Sequence, residues 1–269
     1  MMQEELKQYA DPRRYNLILS LGDGSLQGWF VPYGRRDTAP VRAIASAWTP
    51  RPDDALKQIE NAVYDNPLLL EDYDCRLLVD TPRLLIFPPE APMALIETAM
   101  RRFYDAEAGD IFVRPLTDAQ VAFTLCPGLR PFLGRTFAGV EPMHRLEPLA
   151  RRFCADRSAP GRVRVYADLD TPYLHLLAYS GSRLLHASTH RAATTDDDAY
   201  FILALWQQLD LGTDRGELNI SGSSEARKQL MPLLRRHLNY VSLSLLPRVE
   251  GADKVPTPVL LAFDDDAPS

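Results

Sequence analysis

Hydrophobic and polar positions along this chain form two similar series. The first opens at Tyr15–Ser20, turns at Gly22-Asp23-Gly24, and continues through Leu26–Pro32 and Val41–Thr49. The second opens at Val163–Ala167, turns at Asp170-Thr171-Pro172, and continues through Tyr173–Tyr179 and Arg183–Thr189. Short runs rich in branched and aromatic residues between turn residues read as strands, so each series begins with a three-strand meander. A helix follows each. Ala55, Leu56, Ile59, Ala62 and Val63 recur at helical spacing up to about Asn66, after the Pro50–Asp54 start signal. Thr194-Thr195-Asp196-Asp197-Asp198 opens the second, a strongly apolar helix through Leu209.

Between the two series the pattern predicts strands at Cys75–Val79, Arg83–Phe87, Ile111–Arg114 and Val121–Leu125. It predicts helices at Ala91–Tyr104, about Pro127–Leu133 and about Pro142–Cys154. After the second meander come a short strand at Leu218–Ser221, a helix at Ser224–His237 and a strand at Val241–Leu245. Arg157-Ser-Ala-Pro-Gly161 has linker composition. The organisation expected is a loose arm over residues 1–14, a first half over 15–156 with an inserted hairpin and helix, a second half over 162–247, and a tail over 248–269. The order β-β-β-α-β-α-β is the ribonuclease-H-like arrangement, a mixed sheet covered by helices.

Composition narrows the function classes. The 269 residues are 46% hydrophobic and 25% charged, which suits a globular protein with an ample core. A net charge of −6 argues against a general nucleic-acid binder, which needs a basic face. No apolar run approaches the ~18–20 residues that span a bilayer. The polar, acidic start is unlike a secretory signal, and three scattered cysteines fit neither a disulfide framework nor a zinc spacing. A cytoplasmic protein with reduced thiols is the expectation.

Candidate chemistry is sparse. Gly22, Gly24 and Gly28 come close to a dinucleotide fingerprint, but a strand follows instead of the helix whose N-terminus would receive a pyrophosphate. If Gly181-Ser182 is a two-residue turn, Leu177 opposes His186 and His175 opposes Ser188. His175, His186 and His190 then share one sheet face beside Tyr173. Imidazoles on adjacent strands can hold a metal, yet Leu177 and Leu184 share that face and no carboxylate is in register. A half-buried polar face is the preferred reading, and no metal site is assigned. Asp196–Asp198 reads as charge complementing a helix dipole, and Asp264–Asp266 as a solvated end. The pair Asp168 and Asp170, two apart on a strand, permits a metal-dependent nuclease only if further acids such as Glu217 or Glu225 join it.

Taken in order, four stretches resemble a bacterial family known only as a domain of unknown function. That family in turn is similar to the actin, hexokinase and Hsp70 superfamily, nearest its pilus-assembly and cell-division branch. The stretches are Leu19–Gly28, Asp168–His175, Gly181–Ser188 with the helix from Asp196, and Leu218–Gly222. The resemblance implies a duplicated ribonuclease-H-like, actin-like ATPase fold: two β-β-β-α-β-α halves, the first carrying an insertion.

In active members of that superfamily two hairpin turns approach the nucleotide phosphates through backbone amides, and each turn has a leading aspartate. Carried over, the implied cleft residues are Gly22, Asp23, Gly24 and Ser25 of the first turn, Asp168 and Asp170 of the second, and Gly222 and Ser223 on the adenine side. The pattern is degenerate. Ser20 replaces the first leading aspartate, while Asp170, Thr171 and Pro172 stand where glycines should follow Asp168. A carboxylate at 170 would face phosphate, and Pro172 lacks a backbone donor. The expectation is a non-catalytic, degenerate actin-like protein without a cofactor, acting through protein–protein contacts. The runner-up is a nucleotide-binding switch or slow ATPase using ATP and magnesium, and the remote alternative is the nuclease.

Overall fold

The two meanders build two sheets of identical topology. The computed structural model describes residues 9, 11–34, 38–137, 139–156, 162–212, 215–246, 249 and 251–263. The first sheet has the order β3 (Val41–Ala47), β2 (Ser25–Pro32), β1 (Tyr15–Gly22), β4 (Cys75–Asp80), β8 (Met143–His144), and the second β11 (Arg183–Arg191), β10 (Tyr173–Ser180), β9 (Val163–Asp170), β12 (Gly216–Gly222), β13 (Val241–Leu243). In the first, β1, β2 and β3 run antiparallel, and β4 lies parallel to β1. The outermost strand β8 is only Met143–His144. In the second, β9, β10 and β11 repeat the meander. There β12 runs parallel to β9, and β13 parallel to β12. Two registers position the later chemistry: Gly22 pairs with Asp80, and Asp168 with Ser221.

The helices bury the faces that the sequence pattern marks. Helix α1 (Ala55–Tyr64) covers the first sheet through Ile59, Ala62 and Val63. The insertion after β4 is larger than a hairpin and helix. Strands β5 (Leu84–Phe87), β6 (Phe112–Leu116) and β7 (Ala119–Phe123) form their own antiparallel sheet, packed by α2 (Met93–Tyr104) through Ile96 and Met100. Helix α3 (Leu129–Thr136) returns the chain to β8, and α4 (Leu146–Cys154) follows at once. One core cluster joins the halves, with Leu146, Leu149, Ala150 and Phe153 of α4 in the same cluster as Tyr166, Leu177 and Tyr179 of the second sheet. Phe153 stacks on Tyr166 at 4.2 Å. Each such leucine or phenylalanine contributes about 1.5–3 kcal/mol by leaving water, which makes this interface part of the core. The other face of the second sheet packs on α5 (Thr195–Gln208) and α6 (Ser224–Leu234).

Several expectations change in detail. The helix predicted from Pro142 begins at Leu146, because Met143 and His144 pair with Leu78 and Val79 as β8. Within the expected tail, Thr257–Leu261 forms a helix, α7, whose Val259 packs with Ile18, Trp29, Leu78 and Met143 of the first sheet. The arm falls mostly outside the described residues, though Tyr9 stacks on Phe30. The linker 157–161 and the acidic end Asp264–Asp266 lie outside them as well. Asp197 completes a capping box with Thr194, so the acids opening α5 serve that helix. Among the described residues no helix is long and apolar enough to cross a membrane.

The predicted histidine face does not form. A β-bulge between β10 and β11 pairs Tyr179 with Leu184 but Ala178 with His186, leaving Leu185 as the extra residue. Side chains alternate with period two, so one inserted residue sends everything beyond it to the opposite face. His175 therefore opposes Thr189, while His186 and His190 lie on the other side, where the Ser188 hydroxyl sits 2.7 Å and 2.9 Å from their Nε2 atoms.

Gly222 shows how tightly β12 meets β9. Its φ is +102, and a Cβ there would stand 2.2 Å from the Leu169 carbonyl oxygen. Gly222→Ala should cost roughly 3 kcal/mol or more in urea unfolding, through strain and a backbone clash together. Gly34→Ala, at φ +69 with nothing within 4 Å of the added carbon, should cost only about 1 kcal/mol.

Candidate functional site

The two hairpin turns and the end of β4 converge on one buried guanidinium. Arg145 is the residue between β8 and α4, and it is only 4% exposed. Its Nη1 lies 3.2 Å from Asp80 Oδ2 and forms an ion pair with Asp170 Oδ2, and its Nη2 donates to Ser20 Oγ at 2.5 Å. Ser20 and Asp80 come from the first half and Asp170 from the second, so this side chain bridges them. A second bridge closes the mouth. The Tyr173 hydroxyl donates to Asp23 Oδ1 at 2.8 Å, and Arg191 Nη1 lies 3.3 Å from Asp23 Oδ2.

The β8–α4 junction aims Arg145 inward. His144 is fully buried, with Nε2 2.9 Å from the Thr81 carbonyl oxygen and Nδ1 accepting from the Leu146 amide at 3.1 Å. Glu147, in the first turn of α4, accepts the His144 amide at 2.8 Å and is itself 3.4 Å from Arg114 Nε. His144 and Glu147 thus anchor the turn to Thr81 just beyond β4, to its own backbone and to Arg114 of the inserted sheet.

Burial sets the electrostatics. Asp80 is raised to about 6 by loss of hydration, with Arg145 opposing the shift and Asp23 and Asp168 adding to it. Asp168 is 1% exposed and also raised by burial, against bonds from the Ser221 and Thr257 hydroxyls. Its Oδ1 accepts from Ser221 Oγ at 2.6 Å. His175 is held well below the ordinary imidazole value by burial first and then by Arg145, so it is neutral at physiological pH. Its Nδ1 lies 3.0 Å from Thr189 Oγ1, and its Nε2 faces Asp80 Oδ1 at 3.7 Å.

The residues read from sequence separate into two groups. Asp23, Asp168 and Asp170 meet around the cleft, with Gly22 beside Asp80 on the paired strand. Gly24 packs against Trp48 and Pro50, and the Trp48 indole donates to the Asp23 carbonyl at 3.1 Å. Ser25 lies beside Gly22 at the start of β2. Gly222 is required by its packing on Leu169, and Ser223 caps α6 by accepting the Ala226 amide at 3.2 Å. Neither needs a ligand to explain it. Glu217 pairs with Arg162, and Glu225 accepts from Gln229, so neither joins Asp168.

Two members of the site were missed. Asp80 carried a signal, because it ends a buried run that pairs parallel with β1. Arg145 carried none, since one arginine among many near a helix start says nothing of its direction.

Comparisons with known proteins agree with the fold. The profile of a family described as "Protein of unknown function (DUF3822)" matches residues 10–241. A search of curated proteins finds no match. A protein of Bacteroides thetaiotaomicron with actin-like ATPase fold and unknown function superposes with a TM-score of 0.72 at 15% identity, covering 94% of this chain and 98% of that one. A chain of the PilM–PilN type IV pilus biogenesis complex gives 0.50 at 16% identity, covering 96% of this chain and 100% of that one. The chain has the duplicated, actin-like form of the ribonuclease-H-like fold.

Two outcomes follow from the buried charges. Arg145→Met should lower stability in urea by roughly 3–5 kcal/mol, because it strands buried carboxylates, and Arg145→Lys should fall between. His144 is lowered from 6.5 to about 4, chiefly by burial. The unfolded chain then binds its proton more tightly, so this contribution to stability is present above pH 6.5 and is lost as pH falls toward 4. Relative to His144→Gln, the unmodified chain should lose on the order of 3 kcal/mol across that window, read from unfolding curves at each pH.

Proposed function

The chain belongs to the DUF3822 family of proteins of unknown function, and from that premise we propose that it is a non-catalytic actin-like protein of the bacterial cytoplasm that works through contacts with another protein. The observation that carries the reading is Arg145, which puts a side-chain cation between the two hairpins. A triphosphate with magnesium does not fit these residues. It would have to displace the guanidinium, part Asp23 from Tyr173 and bring its oxygens against Asp80 and Asp170. Two like charges about 4 Å apart repel by about 1 kcal/mol in water, and by more where water is excluded. Ser20 offers a hydroxyl where a carboxylate would position the metal, and here it accepts from Arg145.

Fold likeness and charge support the protein-contact half of the reading. The PilM–PilN complex is an assembly of two proteins, and the likeness to it lies in the fold. Net charge of −6 weighs against a nucleic-acid partner. All three cysteines are free, as in a reducing compartment.

Thermal melting with millimolar magnesium-ATP tests the first half. The expected result is no change in Tm and no phosphate release. A ligand at a hundred times its Kd adds about 2.7 kcal/mol, a shift of roughly 5 °C or more for a chain of this size. Such a shift would favour the nucleotide switch, and hydrolysis lost on Asp168→Ala would overturn the non-catalytic reading.

A further inference from the structure

Where His175 meets Asp80, two buried polar atoms find no hydrogen-bond partner among the described residues. They are His175 Nε2 and Asp80 Oδ1, which face each other at 3.7 Å. When Nδ1–H donates to Thr189 Oγ1, the Nε2 lone pair and the carboxylate oxygen are two acceptors pointing together, and in the other tautomer Nε2–H still stands too far from Asp80 for a hydrogen bond. Asp170 completes a set in which one donor atom from each of Asp80, Asp170 and His175 lies within 4.8 Å of the others. Charge points the same way. Asp80, Asp168 and Asp170 bring three carboxylates to one guanidinium, Arg145, while Asp23 has its own arginine in Arg191. Carboxylates thus outnumber guanidinium groups at this seam, an excess that a bound cation would offset.

We propose that Asp80, Asp170 and His175 hold a divalent transition-metal ion, of the zinc and manganese class, that ties the two halves of the fold together. The donor set decides the class. Calcium takes six or more oxygens and magnesium keeps several waters, whereas imidazole with carboxylates suits zinc and its neighbours. The surroundings have the form of a metal site's outer layer. Thr189 fixes the ring through its far nitrogen, and Arg145 holds the other oxygen of Asp80. Ligands about 2.1 Å from a tetrahedral ion stand about 3.4 Å apart, so the three side chains would draw together by rotation. Asp170, at 22% side-chain exposure, gives access from solvent. The site uses neither phosphate nor nucleotide, so it stands apart from the outcome of the ATP test.

The full chain, stripped with a chelator, is dialysed against zinc, manganese and magnesium chlorides in turn, and bound metal is counted. The expected result is about one zinc or manganese per chain, no retained magnesium, and a raised Tm with the metal. Asp80→Asn and His175→Gln should each lose at least tenfold in affinity together with that Tm rise, and the exposed Glu225→Gln should lose neither. Zinc-edge X-ray absorption on the unmodified chain needs no variant, and should show nitrogen and oxygen neighbours without sulfur. No bound metal, equal binding by both variants, or a sulfur shell from Cys75, Cys126 or Cys154 would each overturn the proposal.

Discussion

The fold depends on a positive charge being placed where two half-molecules meet. Each half ends its central strands in carboxylates: Asp80 on β4, and Asp168 and Asp170 on β9. Burying such groups is unfavourable unless a cation reaches them, and Arg145 does so from the start of α4. The same helix fills the space between the sheets with Leu146, Leu149, Ala150 and Phe153. Electrostatic pairing and apolar burial are therefore coupled in one short segment. A change that moved α4 would expose the acids, and a change that freed the acids would unseat α4.

This arrangement shows how a fold built around a cleft can hold its two halves together through side chains. A glycine-rich turn leaves backbone amides unpaired so that a phosphate can approach. Here the turns are tied down through side chains and carbonyl oxygens. Asp23 accepts from Tyr173, Ser20 from Arg145, and the first turn is held by the Trp48 indole and its backbone. The halves are joined by their own side chains, and the cleft becomes an internal polar seam. Gly222, the glycine best matched to a nucleotide cleft, is kept for another reason, since no Cβ fits between β12 and the Leu169 backbone.

Legibility in the sequence followed the range of the interaction. The strand–turn–strand repeats, the helices and the acidic start of α5 come from local periodicity and capping chemistry, and they appear where the pattern places them. The two-residue strand β8 did not, because a strand that short has no period and exists only through its pairing with β4. Helix α7 did not either, since its apolar residues are defined by the sheet they cover. The histidine face failed through a single bulged residue, which shifts the register without any mark in the hydrophobic alternation.

What the chain determined by itself was the duplicated architecture and the make-up of its two hairpin turns, because both are written in neighbouring residues: Gly22 to Ser25 in one hairpin, Asp168 to Pro172 in the other. What only the tertiary structure decided was the occupant of the cleft. Arg145 lies 125 residues from Ser20, and its direction is set by His144 bonding Thr81 and by Glu147 folding back on the turn. Opposite charges attract at any sequence separation, so the pairing of Asp80 and Asp170 with Arg145, and the meeting of His175 with Asp80, become visible only once packing has brought those strands within a few ångströms.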